Sequence, residues 1–175
     1  MSVHPHKAGF VNIVGKPNVG KSTLMNILVG ERLSIISSKA QTTRHRILGL
    51  INSEDYQIVF SDTPGMLKPK YELHKSMMSF VNLSLEDADI ILFVTDLYET
   101  EEEIEEVIHR INESGIPVIL VINKIDLAKE GQLEEVTQYW TSRVKADTVI
   151  PISAKENFNT ERILQEILEK LPEHP

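Results

Sequence analysis

Eight consecutive residues, Gly15-Lys16-Pro17-Asn18-Val19-Gly20-Lys21-Ser22, fit the pattern G-x-x-x-x-G-K-[ST], whose chemistry is the holding of phosphate groups. Its glycines let backbone N–H groups turn inward around phosphate oxygens, and a following helix adds its positive end. Lys21 is placed to reach the β- and γ-phosphates of a nucleotide, and Ser22 Oγ to ligate Mg²⁺. Thr23 follows directly and is grouped with the loop. A glycine-rich turn with an incidental lysine is the bland alternative, but the pattern lies between an apolar run, Phe10–Val14, and a helical pattern, Ser22–Val29, as the motif requires. On its own it leaves ATPases, kinases and GTPases open.

Asn123-Lys124-Ile125-Asp126 follows a second apolar run, Val118–Ile122. In an open parallel sheet this is the carboxyl edge, where ligands bind. Guanine presents two adjacent donors, N1–H and the 2-amino group, and the Asp126 carboxylate can accept both. Adenine lacks the 2-amino group and carries an acceptor at N1. A site built to bond particular groups rejects the analogue lacking them by large factors. Lys124 can lay its alkyl stem over the base plane. Asn123 can bond the base or tie this loop to the phosphate loop. Ser153-Ala154-Lys155 follows the run Val149–Ile152, and the Ala154 N–H is expected on guanine O6.

Two further segments suit sensing of a γ-phosphate. Asp62-Thr63-Pro64-Gly65 follows Ile58–Phe60. Asp62 is expected to hold Mg²⁺ through water, and the Gly65 N–H to touch the γ-phosphate, since no side chain blocks its approach. In Gln41-Thr42-Thr43-Arg44-His45 one threonine can give its hydroxyl to Mg²⁺ and its N–H to the γ-phosphate; Thr43 is favoured over Thr42. Loops held only by γ-phosphate and Mg²⁺ release on hydrolysis, which makes a switch.

The elements that must position these residues are legible as patterns. Phe10–Val14, Ile58–Phe60, Ile90–Val94, Val118–Ile122 and Val149–Ile152 are Val/Ile-rich and nearly continuously apolar, as parallel strands buried on both faces are. Arg46–Ile51 is an edge-strand candidate. Between them Ser22–Val29, Leu73–Leu85, Glu101–Asn112, Leu133–Val144 and Thr160–Leu171 carry apolar residues at helical spacing, the third opening with a capping-box pattern at Thr100–Glu103. The expected fold is α/β, a P-loop NTPase of the small G-domain kind. Its mostly parallel six-stranded sheet has one antiparallel edge strand and helices on both faces. Trp140 is expected in a partly buried helix position, and Met77 and Met78 in packing. His4 and His6 are read as terminus rather than metal pair.

The 175 residues suggest one domain. With no cysteine, disulfides, Cys-ligated zinc and thiol chemistry are excluded. The net charge of −8 argues against a polyanion-binding surface in this segment. No run is long enough to span a bilayer, and the first residues lack the apolar core of a secretory signal.

Taken together, GKPNVGKS, QTTRH, DTPG, NKID and SAK resemble the translation-factor class of GTPases. The stretch Ser37–Ile47 is similar to the Era type in particular, and less so to the Der and MnmE types. The resemblance runs from Gly9 to about Leu171. It implies GTP/GDP and Mg²⁺ as ligands, with Lys21, Thr43, Asp62, Gly65 and Asn18 carrying hydrolysis. It implies a cytoplasmic monomer with peripheral membrane association at the inner face. It also implies a second, C-terminal KH domain that binds 16S rRNA and serves maturation of the small ribosomal subunit. Residues 172–175 would begin the linker to that domain. A water-orienting glutamine often follows D-x-x-G, but here Met66 stands there, so turnover on the order of 10⁻⁴ to 10⁻² s⁻¹ is expected. In the resembling family an asparagine at the place of Asn18 can help hold K⁺ near the phosphates; the alternative is that Asn18 only shapes the loop. Arg44 and Arg46 are read as solvated rather than as arginine fingers. Two rivals remain: a guanine-nucleotide switch module without useful turnover, which Met66 favours, and a P-loop kinase, which the guanine reader disfavours.

Overall fold

In this computed structural model, residues 6–15, 19–30, 33–34, 46–62, 88–98 and 105–173 are described. Strand β1 (Lys7–Val14) leads through the phosphate loop into helix α1 (Lys21–Val29). The two-residue β2 (Leu33–Ser34), β3 (Arg46–Asn52), β4 (Tyr56–Asp62) and β5 (Ile90–Thr95) follow. Then come α2 (Glu105–Ser114), β6 (Val118–Ile122), a one-turn 3₁₀ helix (Ile125–Leu127), α3 (Gln132–Thr141), β7 (Thr148–Pro151) and α4 (Glu161–Lys170). The expected helix at Leu73–Leu85 and the capping pattern at Thr100–Glu103 lie outside the described residues.

The strands form one sheet in the order β2-β3-β4-β1-β5-β6-β7. Pairings β1–β4, β1–β5, β5–β6 and β6–β7 are parallel, while β3 runs antiparallel to β4 and to β2. The expected six strands are all present, with the antiparallel strand at Arg46–Asn52. Leu33–Ser34 adds a short seventh outside it, so β3 is second from the edge rather than at it. Two residues carry no periodicity that a sequence pattern could reveal.

Alternation along each central strand divides the core into two layers. Ile90, Leu92 and Val94 of β5 and Ile119 and Val121 of β6 face one layer, together with Leu24 and Leu28 of α1 and Ile163 and Ile167 of α4. Ile91, Phe93, Val118, Leu120 and Ile122 face the other, against Val107, Ile108 and Ile111 of α2 and Trp140 of α3. Both faces of β5 and β6 are therefore closed to water, which is why these strands read as unbroken apolar runs. Trp140 is completely buried, deeper than the partly buried position expected. Its ring centroid lies 5.6 Å from Phe93 and 5.2 Å from Tyr139.

Candidate functional site

The ends of β1, β4, β5, β6 and β7 share one edge of the parallel sheet, and the loops leaving that edge carry the residues expected to do chemistry. Gly15 sits where β1 ends. A Cβ there would come within 2.6 Å of the Val94 carbonyl oxygen, so the chain can turn at this point only without a side chain. Gly20 has φ 95°, and a Cβ on it would collide with Asn123 Nδ2. Glycine meets both demands, since it alone takes the left-handed region without cost.

Lys21 opens α1 and is buried at 6% exposure. Its stem lies back along the loop, with Cδ 3.5 Å from the place a Gly15 Cβ would occupy. Ser22 and Thr23 are exposed at the first turn, and Val19 is buried. Asp62 ends β4 in register with Ile13 of β1, which brings its backbone to the same edge as the phosphate loop. Lys16, Pro17, Asn18, Thr43, Thr63, Pro64, Gly65 and Met66 lie outside the described residues.

The side expected to read the base is held by side chains. Asn123 is buried and bonds in two directions. Its Nδ2 donates to the Val19 carbonyl at 2.8 Å, and its Oδ1 accepts the Ala154 N–H at 2.9 Å. Its own N–H donates to the Thr95 carbonyl at 2.8 Å. One side chain thus joins the loops after β1, β6 and β7. Of the two roles open to Asn123 in the sequence, the tie to the phosphate loop is the one present. The Ala154 N–H, expected free for guanine O6, is engaged by Asn123 instead, so an incoming carbonyl would have to share it.

Lys124 adopts a left-handed backbone, φ 67° and ψ 28°, and so turns the chain from β6 into the 3₁₀ helix that carries Asp126. Asp126 is exposed, yet its Oδ1 accepts the Ser153 hydroxyl at 2.8 Å. Ser153 Oγ in turn accepts the Glu156 N–H at 3.2 Å, and Ser153 and Phe158 exchange backbone hydrogen bonds across the loop. One oxygen of Asp126 is thereby held by Ser153 while the side chain stays exposed. Lys155, which follows Ala154, is exposed.

Asp96, which the sequence pattern did not single out, also reaches this edge. It follows β5, is 5% exposed and lies 3.0 Å from Lys124 Nζ. Its only signal in the sequence is an acid directly after a strand that is apolar throughout, at the edge where ligands bind.

Residues 10–124 match the model of the family described as 50S ribosome-binding GTPase. The chain is similar to the chloroplastic GTPase ERA1 of Zea mays, 44% identical over 174 residues, which are 97% of this chain and 42% of that protein. It is similar also to GTPase Era of Heliobacterium modesticaldum, 43% identical over 171 residues, with 97% and 57% covered. Among solved structures, Era in complex with MgGDPNP and nucleotides 1506–1542 of 16S ribosomal RNA aligns at TM-score 0.74 and 42% identity, covering 97% of this chain and 59% of that one. Aquifex aeolicus Era bound to GDP·AlF₄⁻ aligns at TM-score 0.73 and 41% identity, covering 97% and 58%. The chain spans about half the length of the curated relatives it matches.

Proposed function

Since the chain belongs to the 50S ribosome-binding GTPase family, we propose that it binds GTP and GDP with Mg²⁺ and hydrolyses GTP slowly, as a switch. The observation that carries this reading is the Asn123 clasp. It fixes a guanine-type carboxylate reader and a phosphate loop to one another, so that one nucleotide can occupy both. Lys21 is positioned by burial and by the glycine turn above it, where its charge opposes that of the β- and γ-phosphates. Ser22 offers a hard hydroxyl oxygen at the helix start, of the kind Mg²⁺ accepts alongside substrate phosphates. Asp62 ends the neighbouring strand at the same edge. Ser22, Asp62 and Thr43 would hold the ion, whose chemistry there is neutralisation of charge on the phosphates.

Hydrolysis needs an in-line water. With Met66 in the place of a water-orienting glutamine, slow turnover is expected. Single-turnover phosphate release from GTP tests this: a rate on the order of 10⁻⁴ to 10⁻² s⁻¹ supports it, and a rate above about 1 s⁻¹ without a partner contradicts it. Complete absence of product would favour the second reading, a guanine-nucleotide switch module without hydrolysis. If Asn18 helps hold K⁺, the rate falls when NaCl replaces KCl, and Asn18→Ala removes the difference.

In the longer protein that the relatives suggest, we extend the proposal to small ribosomal subunit maturation through 16S rRNA, the RNA in the aligned Era complex. The net charge of −8 leaves the RNA contact to another segment. Cytoplasmic location with peripheral membrane association, and a monomeric state, belong to the same proposal. Among the described residues no helix is long and apolar enough to cross a membrane.

A further inference from the structure

We propose that Asp96 is a positioning residue for nucleotide binding, acting through Lys124; this rests on the guanine-nucleotide reading above. Asp96 stands at the end of β5, beside the end of β6, and is almost wholly buried. Its Oδ2 pairs with Lys124 Nζ at 3.0 Å while its Oδ1 accepts the Tyr98 N–H at 2.9 Å. A carboxylate held at both oxygens is a fixed anchor. Lys124 is fixed from both ends in consequence. At its backbone end the left-handed turn is closed by the Leu127 N–H on its carbonyl at 2.9 Å, and at its amine end it is held by Asp96.

A lysine stem pinned in this way is a rigid bar, not a freely rotating surface chain. The Lys124 side chain is 31% exposed and the Asp96 side chain 7%, so the accessible surface of the pair belongs mainly to Lys124. Asp126, two residues on, offers its carboxylate to the edge of a base, and the stem offers a flat apolar wall for the base plane. Preorganising that wall removes the cost of ordering it when the ligand arrives. A stacking wall touches every purine alike, so Asp96 governs how tightly nucleotide is held and not which base is chosen.

The test is equilibrium binding of a fluorescent GDP analogue to wild type, Asp96→Asn, Lys124→Met and the double variant, with thermal melting of each. Asp96→Asn is expected to weaken GDP and GTP binding alike by about tenfold, the lower range for a charge-assisted hydrogen bond. The preference for guanine over xanthine stays unchanged. In the Lys124→Met background Asp96→Asn adds nothing, because the partner through which it acts is gone. Wild-type affinity in Asp96→Asn overturns the proposal, as do losses that add in full in the double variant. Where Asp96→Asn does not fold, wild-type affinity in Lys124→Met overturns it. A wild type that binds no guanine nucleotide would overturn the functional reading as well, whereas a binding wild type with an indifferent Asp96 overturns this inference alone.

Discussion

The phosphate loop and the base-reading loops meet at one edge of the sheet, and they are built on opposite principles. At Gly15 and Gly20 the geometry depends on atoms that are missing, because a Cβ at either would strike the Val94 carbonyl or the Asn123 amide. At Asn123, Asp126 and Ser153 it depends on side-chain atoms that are present and hydrogen-bonded. Adding atoms should break the first region and deleting them the second. Asn123 belongs to both, since its amide fills the space that Gly20 leaves empty.

The largest effect is expected from Gly20→Ala. The new methyl displaces Asn123 and the residue must hold φ near 95°, so affinity for a fluorescent GDP analogue should fall on the order of 100-fold or more. Gly131 is the control. It too has positive φ, 78°, but nothing lies within 4 Å of its Cβ position. Gly131→Ala should cost about 1–2 kcal/mol of stability in denaturant melts and leave nucleotide affinity as it was. Equal effects at the two glycines would dissolve the contrast.

Asn123→Ala comes next. It orphans the Val19 carbonyl and the Ala154 N–H, and a buried unsatisfied group costs about 1–3 kcal/mol. Both melting temperature and nucleotide affinity should drop, the latter by about 10- to 100-fold. Ser153→Ala removes both the hydroxyl that donates to Asp126 and the acceptor of the Glu156 N–H. The loss at Asp126 should weaken GDP binding by about three- to tenfold, the worth of one net hydrogen bond, and the loss at Glu156 should lower the melting temperature slightly.

The smallest effect lies away from the site. The Lys170 ammonium, 3.0 Å from Glu166, holds the Glu166 carboxyl below its ordinary value against the opposing effect of burial, with lesser help from the Thr148 hydroxyl. A carboxyl whose folded pKa is depressed contributes stability above its unfolded value, and loses it as pH falls through the folded one. Melting curves should show Glu166→Gln less stable than wild type near neutrality, the gap closing below about pH 4.5, the ordinary value. Nucleotide binding should not respond.

These contrasts also mark what was legible in the sequence. Val118–Ile122 has the same bounds in the pattern and in the structure, because burial on both faces leaves no polar residue to blur its ends. The close approaches at Gly15 and Gly20 were legible because each glycine stands at a fixed offset from a strand in a known pattern. Asp96 was not, since its meaning comes from Lys124, in the turn that follows the neighbouring strand and far along the chain. The depth of Trp140 was not legible either. Helical spacing with Leu133 and Val136 gives the direction it faces, but the closure around it comes from Phe93 of β5. The engagement of Ala154 by Asn123 is a contact between two loops that neither local sequence reveals: the sequence ties Asn123 to the base or to the phosphate loop, and Ala154 to the base.

The most direct test of the account is competition for a bound fluorescent GDP analogue by GDP, GTP, ATP and XTP, in wild type and in Asp126→Asn. Displacement of the analogue from wild type by GDP and GTP alone, moving toward XTP in the variant, is the predicted result. Displacement by ATP as effective as by GTP would contradict the guanine reader, and with it the functional reading built on Asn123, Asp126 and Ser153.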